Sequence, residues 1–166
     1  MQIEAAAERS FAVPASRLWP LVSSVRGYLD TIPEVVAYEC DSAGRVAAFD
    51  ARLAVGPVTW KLAGSAAVDE ISTGETVSVS LTVPKLVLGY AGGVSVHDVG
   101  EGSCRVEYRG TITCEHKMIG KLHFLLRQIL DDHVARFLDG VVGEAERTFQ
   151  AEQALLRRGN PSQRRG

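Results

Sequence analysis

Residues 118–152 have the sequence MIGKLHFLLRQILDDHVARFLDGVVGEAERTFQAE, and this stretch decides the fold. At about 100° per residue its apolar side chains share one face, which predicts a single amphipathic helix. Such a helix would be roughly 50 Å long, enough to cross a whole domain. Gly140 and Gly143 predict a bend or a close backbone contact in its second half. The predicted apolar face consists of Ile119, Leu122, Leu126, Ile129, Leu130, His133, Phe137 and Val141.

Residues 34–116 alternate between apolar and polar side chains, as expected for strands of a sheet with one buried face. In residues 76–83, for example, valine or leucine occupies every second position, with serine and threonine between. Short turn sequences such as Gly56-Pro57 separate the strands and predict antiparallel hairpins. Residues 1–12 predict a further strand, and residues 14–32 predict short helical pieces.

This order of elements predicts an α+β domain over residues 1–152, in which a curved antiparallel β-sheet wraps around the long C-terminal α-helix. Residues 153–166 are polar and basic, and we expect a disordered tail there. The arginines of this tail are candidates for contact with anionic lipid or an acidic partner.

The bulk composition narrows the function classes. A formal net charge of -2 over 166 residues argues against nucleic-acid binding by electrostatics. The sequence contains neither an apolar run long enough to span a bilayer nor a signal peptide pattern, so we expect a cytoplasmic protein, with peripheral membrane contact left open. Cys114-Glu115-His116 with His123 matches no strong metal-site template, and we expect no metal and no cofactor. The sequence does not predict the oligomeric state.

A family resemblance is carried first by residues 10–22, SFAVPASRLWPLV. This segment resembles the opening of the START-like (SRPBCC, Bet v 1-like) superfamily, which includes the polyketide cyclases and in which a strand leads into a proline-started helix. Ile32-Pro33, Val55-Gly56-Pro57-Val58 and Gly120-Lys121-Leu122 resemble the branch typified by the G component of carbon monoxide dehydrogenase. The resemblance implies a helix-grip fold whose cavity holds lipids, quinones or polyketides. For that branch it also implies assembly or anchoring of a redox enzyme at a membrane.

The candidate site residues come from the inward faces of these elements. His133 lies in the middle of the predicted helix face and is the candidate catalytic residue if the protein is an enzyme. The alternative is a buried histidine satisfied by backbone or water. The predicted ligand-binding residues are Phe49, Leu53, Trp60, Leu62, Val79, Leu81, Tyr90, Tyr108, Ile112, Leu126, Leu130, His133 and Phe137.

Two further observations bear on the interior. Small inward residues favour a cavity, because small side chains on a cupped sheet leave volume unfilled; they include Ala51, Gly64, Ala66 and Gly92. Arg9 shares the parity of the inward residues of the first strand. It would either orient a polar head group or extend its guanidinium to solvent.

Three functions remain open on the sequence. The first is a binding module for a hydrophobic small molecule (lipid, quinone or polyketide-like), working beside a redox enzyme or at a membrane surface. The second is a polyketide cyclase or aromatase that transfers protons with His133 and a tyrosine. The third is an assembly protein with a filled core. The size of the space beneath the long helix distinguishes the third from the other two.

Overall fold

The computed structural model describes residues 1–117 and 119–159, and of residues 119 and 120 only the backbone. Within these residues seven antiparallel strands form one sheet: β1 (Gln2–Phe11), β2 (Val35–Cys40), β3 (Val46–Val55), β4 (Val58–Ser72), β5 (Thr76–Val83), β6 (Leu88–Gly100) and β7 (Ser103–Cys114). Their spatial order is β1-β7-β6-β5-β4-β3-β2. Consecutive strands from β2 to β7 are therefore antiparallel neighbours, as the short turns predict.

Helices connect and cover this sheet. Between β1 and β2 lie α1 (Ala15–Val22) and α2 (Val25–Leu29), and a 3₁₀ turn (Pro84–Leu86) precedes β6. The C-terminal helix consists of α3 (Ile119–Ala135), a π-helical segment (Arg136–Val142) and α4 (Gly143–Gly159). The predicted helix-grip architecture is confirmed.

The alternation of side chains along the strands places the core as predicted. In β5, Val77, Val79 and Val83 are buried, whereas Ser80 and Thr82 are exposed or only half-buried. In β7 the buried set includes Cys104 and Cys114 at the two ends of the strand, and both are free thiols. The sheet therefore presents one apolar face to the helices, because side chains alternate across a strand.

The π-helical segment changes which residues of the long helix face the core. The regular helical period predicts Phe137 and Val141 on the buried face. Phe137 is fully buried, but Val142 rather than Val141 is buried one turn later. A π-helical turn contains an extra residue, so positions beyond it are shifted around the axis. Gly140 lies within this segment and Gly143 directly follows it, where the two glycines predict an irregularity.

Arg9 leaves the interior and pairs with Asp139 of the π-helical segment. Both side chains are exposed. The inward parity of Arg9 therefore directs its guanidinium to the helix surface rather than to the space beneath the helix.

The end of the long helix differs from the prediction. Because α4 continues to Gly159, residues 153–159 are helical rather than disordered. Alanine, glutamine, leucine and arginine in this stretch favour a helix, and Arg157 and Arg158 complement the dipole at its C-terminus. Residues 160–166 of the predicted tail, the predicted helix start at Met118 and the side chain of Ile119 lie outside the described residues.

Polar contacts anchor α4 against the link between β1 and α1. The carboxylate of Glu146 accepts a hydrogen bond of 2.6 Å from the backbone N–H of Ala12. The side-chain amide of Gln150 donates one of 2.5 Å to the carbonyl oxygen of the same residue. Arg17 and Glu152 form an ion pair at 2.8 Å. These contacts fix the second half of the long helix, while the middle of α3 lies over the cup.

Candidate functional site

A cavity of about 130 Å³ lies between the inner face of the sheet, α2 and α3. Its wall is almost wholly apolar, and most of the lining side chains are buried. Three elements are needed to form it, since the strands supply the floor, α2 one side and α3 the cover. The predicted ligand-binding residues that line the cavity are Phe49, Leu53, Leu62, Val79, Leu81, Tyr90, Ile112, Leu126, Leu130 and His133.

Three predicted ligand-binding residues do not line this cavity. Trp60 lies towards the β3–β4 turn, where its ring meets the edge of His116 at a centroid distance of 5.3 Å. Phe137 stacks on Tyr28 at 4.7 Å, so Tyr28 and not Phe137 faces the cavity. Tyr108 is 1% exposed and packs behind the lining. Strand and helix parity identify the inner face, but they do not say how far along that face the cavity extends.

The small inward residues do not all create space. A Cβ on Gly64 would clash with the ring of Phe49, and a Cβ on Gly92 with the hydroxyl of Tyr90. These two glycines are therefore covered by aromatic rings lying on the sheet. Ala51 and Ala66, in contrast, do line the cavity. Only part of the volume that the small residues leave is open.

A chain of hydrogen bonds runs along one end of the cavity. The Nδ1 atom of His133 lies 2.6 Å from Thr31 Oγ1, and its Nε2 atom lies 3.0 Å from the hydroxyl of Tyr108. The Tyr108 hydroxyl also bonds to the hydroxyl of Tyr90. Thr31 Oγ1 donates in turn to the carbonyl oxygen of Tyr28 at 2.7 Å. The chain joins the end of α2, the middle of α3 and strands β6 and β7.

Burial keeps the titratable groups of this chain uncharged at neutral pH. It lowers the pKa of His133 to about 4, since the imidazolium would lose its hydration. It raises the pKa of Tyr90 to about 12 and that of Tyr108 further. His133 is thus a neutral imidazole with both nitrogens bonded. The satisfied histidine left open by the sequence is observed, with side chains of Thr31 and Tyr108 as its partners.

Sequence reasoning missed three residues near the cavity. Thr31 holds His133, and Tyr28 lines the cavity while donating to the carbonyl oxygen of Val22 at 2.7 Å. Glu34 also lines the cavity, and its Oε2 atom is buried without a hydrogen-bond partner among the described residues. All three lie in or just after α2. No periodic pattern in this short segment distinguishes them from surface residues.

The described ranges, 1–117 and 119–159, contain no group of three histidine, cysteine, aspartate or glutamate side chains placed to hold a metal ion. Across the same ranges, no helix combines the length and apolar character needed to cross a membrane.

Comparisons with known proteins agree with this geometry. Residues 2–147 match the family model described as polyketide cyclase / dehydrase and lipid transport. No curated protein sequence matches the chain. Among solved structures, an aromatase/cyclase from a Streptomyces species superposes with a TM-score of 0.58 at 17% identity, covering 98% of each chain.

Two further solved structures are similar at comparable levels. Norcoclaurine synthase from Thalictrum flavum, in complex with dopamine and hydroxybenzaldehyde, gives a TM-score of 0.58 at 14% identity and covers 87% of this chain and 88% of its own. A START superfamily protein from Mycobacterium smegmatis gives 0.58 at 15% identity, covering 85% and 97%. At such identities the likeness is one of fold.

Proposed function

The chain belongs to the polyketide cyclase / dehydrase and lipid transport family, and from this premise we propose that it binds a small hydrophobic molecule between its sheet and α3. The observation that carries this proposal is the apolar cavity of about 130 Å³ at that position. The atoms lining an empty apolar cavity lack partners on one side. A guest restores those contacts and gains about 0.8 kcal/mol for each methylene group removed from water.

The volume favours a guest of about one ring. An engineered apolar cavity of about 150 Å³ in another protein stays dry and binds benzene. Drug-sized ligands occupy pockets of roughly 300–1,000 Å³. A single ring, such as the head of a quinone, or a short alkyl segment of a lipid therefore fits without rearrangement. A folded poly-β-keto chain would require the cavity to expand.

Toluene is a suitable probe, and its binding can be followed by calorimetry and by chemical-shift changes of the lining methyl groups. We expect wild type to bind it and Ala51→Leu, which fills the cavity from β3, to lose most of the affinity. Ala48→Leu is the matched control, because Ala48 lies on the same strand but is exposed. Absence of toluene binding to the folded wild-type protein would overturn the proposal.

Cyclase chemistry is a second candidate, favoured by the hydroxyl–imidazole chain beside the cavity. In that case Tyr90 and His133 would move protons while the cavity holds a keto substrate. A pKa of about 4 makes His133 a weak base, and both of its nitrogens already have partners. These two facts place ligand binding ahead of catalysis. Cyclisation of a poly-β-keto substrate by wild type, lost in His133→Ala, would reverse that order.

The partner is a separate part of the proposal and rests on the resemblance to the carbon monoxide dehydrogenase branch of the superfamily. We propose an accessory protein that carries its ligand to a redox enzyme or a membrane surface. The basic end of α4, with Arg157 and Arg158, supports contact with an anionic surface. Sedimentation with phosphatidylserine vesicles would be reduced in the Arg157→Glu/Arg158→Glu double variant. Equal sedimentation of both proteins would remove α4 as the contact.

A further inference from the structure

The hydrogen-bond chain beside the cavity has one arrangement of its protons. Thr31 Oγ1 lies 2.7 Å from the carbonyl oxygen of Tyr28 and 2.6 Å from His133 Nδ1. A carbonyl oxygen can only accept, so the single hydroxyl hydrogen of Thr31 must be donated to Tyr28. The Thr31 oxygen is then an acceptor towards His133. The proton of the neutral imidazole is therefore on Nδ1.

The position of that proton orders the two tyrosines. Because Nδ1 carries the hydrogen, Nε2 of the neutral His133 is an acceptor, and the Tyr108 hydroxyl 3.0 Å away must donate to it. Tyr108 has then used its hydrogen, so the Tyr90 hydroxyl donates to the Tyr108 oxygen. Tyr90, which lines the cavity, is left with only lone pairs to offer.

A second acceptor lies on the same cavity. The buried Oε2 atom of Glu34 has no hydrogen-bond partner within the described part of the chain. A buried polar atom without a partner is unfavourable, and a ligand that donates a hydrogen bond would relieve that cost. Another lining residue with a side-chain hydroxyl, Ser80, is exposed and alternates to the opposite face of β5 from Val79 and Leu81. Glu34 and Tyr90 are therefore the polar groups available to a guest.

We propose that the cavity selects a small apolar ligand carrying a hydrogen-bond donor, such as an alcohol or phenol O–H, over one whose polar group is a carbonyl. This inference rests on the proposed function, since it specifies the ligand of the same cavity. A carbonyl oxygen entering the site would face two acceptors and would lose its hydrogen bonds to water without replacement. A hydroxyl group, in contrast, can replace its donated bond.

Cyclohexanol and cyclohexanone test this selection, because they share a ring and differ in an O–H against a C=O. With toluene binding as the reference for the cavity, we expect wild type to bind cyclohexanol roughly tenfold tighter than cyclohexanone. Glu34→Gln and Tyr90→Phe should each reduce that ratio, and Glu39→Gln, on the exposed side of β2, should leave it unchanged. Equal or tighter binding of cyclohexanone, with toluene still bound, would overturn the inference alone. No binding of any of the three would overturn the proposed function as well.

The proton arrangement can be measured without a ligand. Long-range ¹⁵N–¹H correlation spectra of the wild-type protein at pH 7 should show His133 protonated at Nδ1 and unprotonated at Nε2. In Thr31→Val, which lacks the hydroxyl, the preference for Nδ1 should weaken. Protonation of His133 at Nε2 in the wild type would overturn the inference, because Tyr90 would then be free to donate.

Discussion

The Oγ1 atom of Thr31 lies 2.6 Å from Nδ1 of His133, although 102 positions separate them in the sequence. This hydrogen bond ties the end of α2 to the middle of α3. The two helices cover the cavity, so the bond helps to hold its cover in place. It also sets the tautomer of His133, and through Tyr108 it determines what Tyr90 can offer to a ligand.

Replacing Thr31 tests the strength of this link. In Thr31→Val the Nδ1–H group of His133 stays buried but loses its acceptor, so we expect the free energy of unfolding to fall by about 1–3 kcal/mol. Urea denaturation followed by circular dichroism measures the change. Thr31→Ser is the matched control, because it keeps the hydroxyl and loses only a methyl group. If Thr31→Ser were as destabilised as Thr31→Val, the hydrogen bond would not be the cause.

His133 should make the protein less stable in acid. Burial lowers its pKa from 6.5 to about 4, so between these values the unfolded chain binds a proton that the folded protein does not. The corresponding stability is present above pH 6.5 and is lost as the pH falls through 4, amounting to roughly 3 kcal/mol.

This pH dependence can be isolated with a variant. The free energy of unfolding should fall more steeply between pH 6.5 and 4 in wild type than in His133→Gln. The other histidines, at positions 97, 116 and 123, are present in both proteins and cancel in the comparison. Parallel curves for the two proteins would mean that His133 does not carry the effect.

Gly110 provides the space in which the Tyr90 ring lies. A Cβ at this position would be 2.6 Å from a ring carbon of Tyr90 and would clash with its hydroxyl. We expect Gly110→Ala to lower the free energy of unfolding by about 1–3 kcal/mol and to break the contact with Tyr108. Thermal denaturation measures the loss. Gly100→Ala is the control, since a Cβ there meets nothing within 4 Å.

A double-mutant cycle identifies Tyr90 as the cause. In a Tyr90→Ala background the same Gly110→Ala change should cost much less, because the ring that it displaces is gone. Additive losses in the cycle would point instead to the strand backbone.

The three thiols should differ in reactivity. Cys104 is fully buried, and burial raises its pKa to about 11, whereas Cys40 is only half-buried. At alkaline pH, iodoacetamide should therefore modify Cys40 first, as mapped by peptide mass spectrometry. Protein unfolded in urea serves as the control, and there all three should react. Modification of Cys104 as fast as Cys40 in the folded protein would contradict the burial on which the prediction depends.

Much of this molecule could be predicted from the local sequence. Alternation in segments such as residues 76–83 identified the strands and their buried face, and the helical period over residues 118–152 placed Leu126, Leu130 and His133 towards the sheet. These patterns succeed because each depends only on the geometry of one element and on the preference of apolar side chains for the interior.

What only the tertiary structure decided lies between elements. The partners of His133, the rings that cover Gly64 and Gly92, and the placement of Glu34 on the cavity depend on how α2 and α3 dock against the sheet. The π-helical segment likewise exchanges Val141 for Val142 in the core. Such contacts join residues far apart in the chain, and the distance and direction between two packed elements are set by all their side chains together. Hence the sequence alone determined which residues face inward, and the packed fold decided which of them meet a ligand.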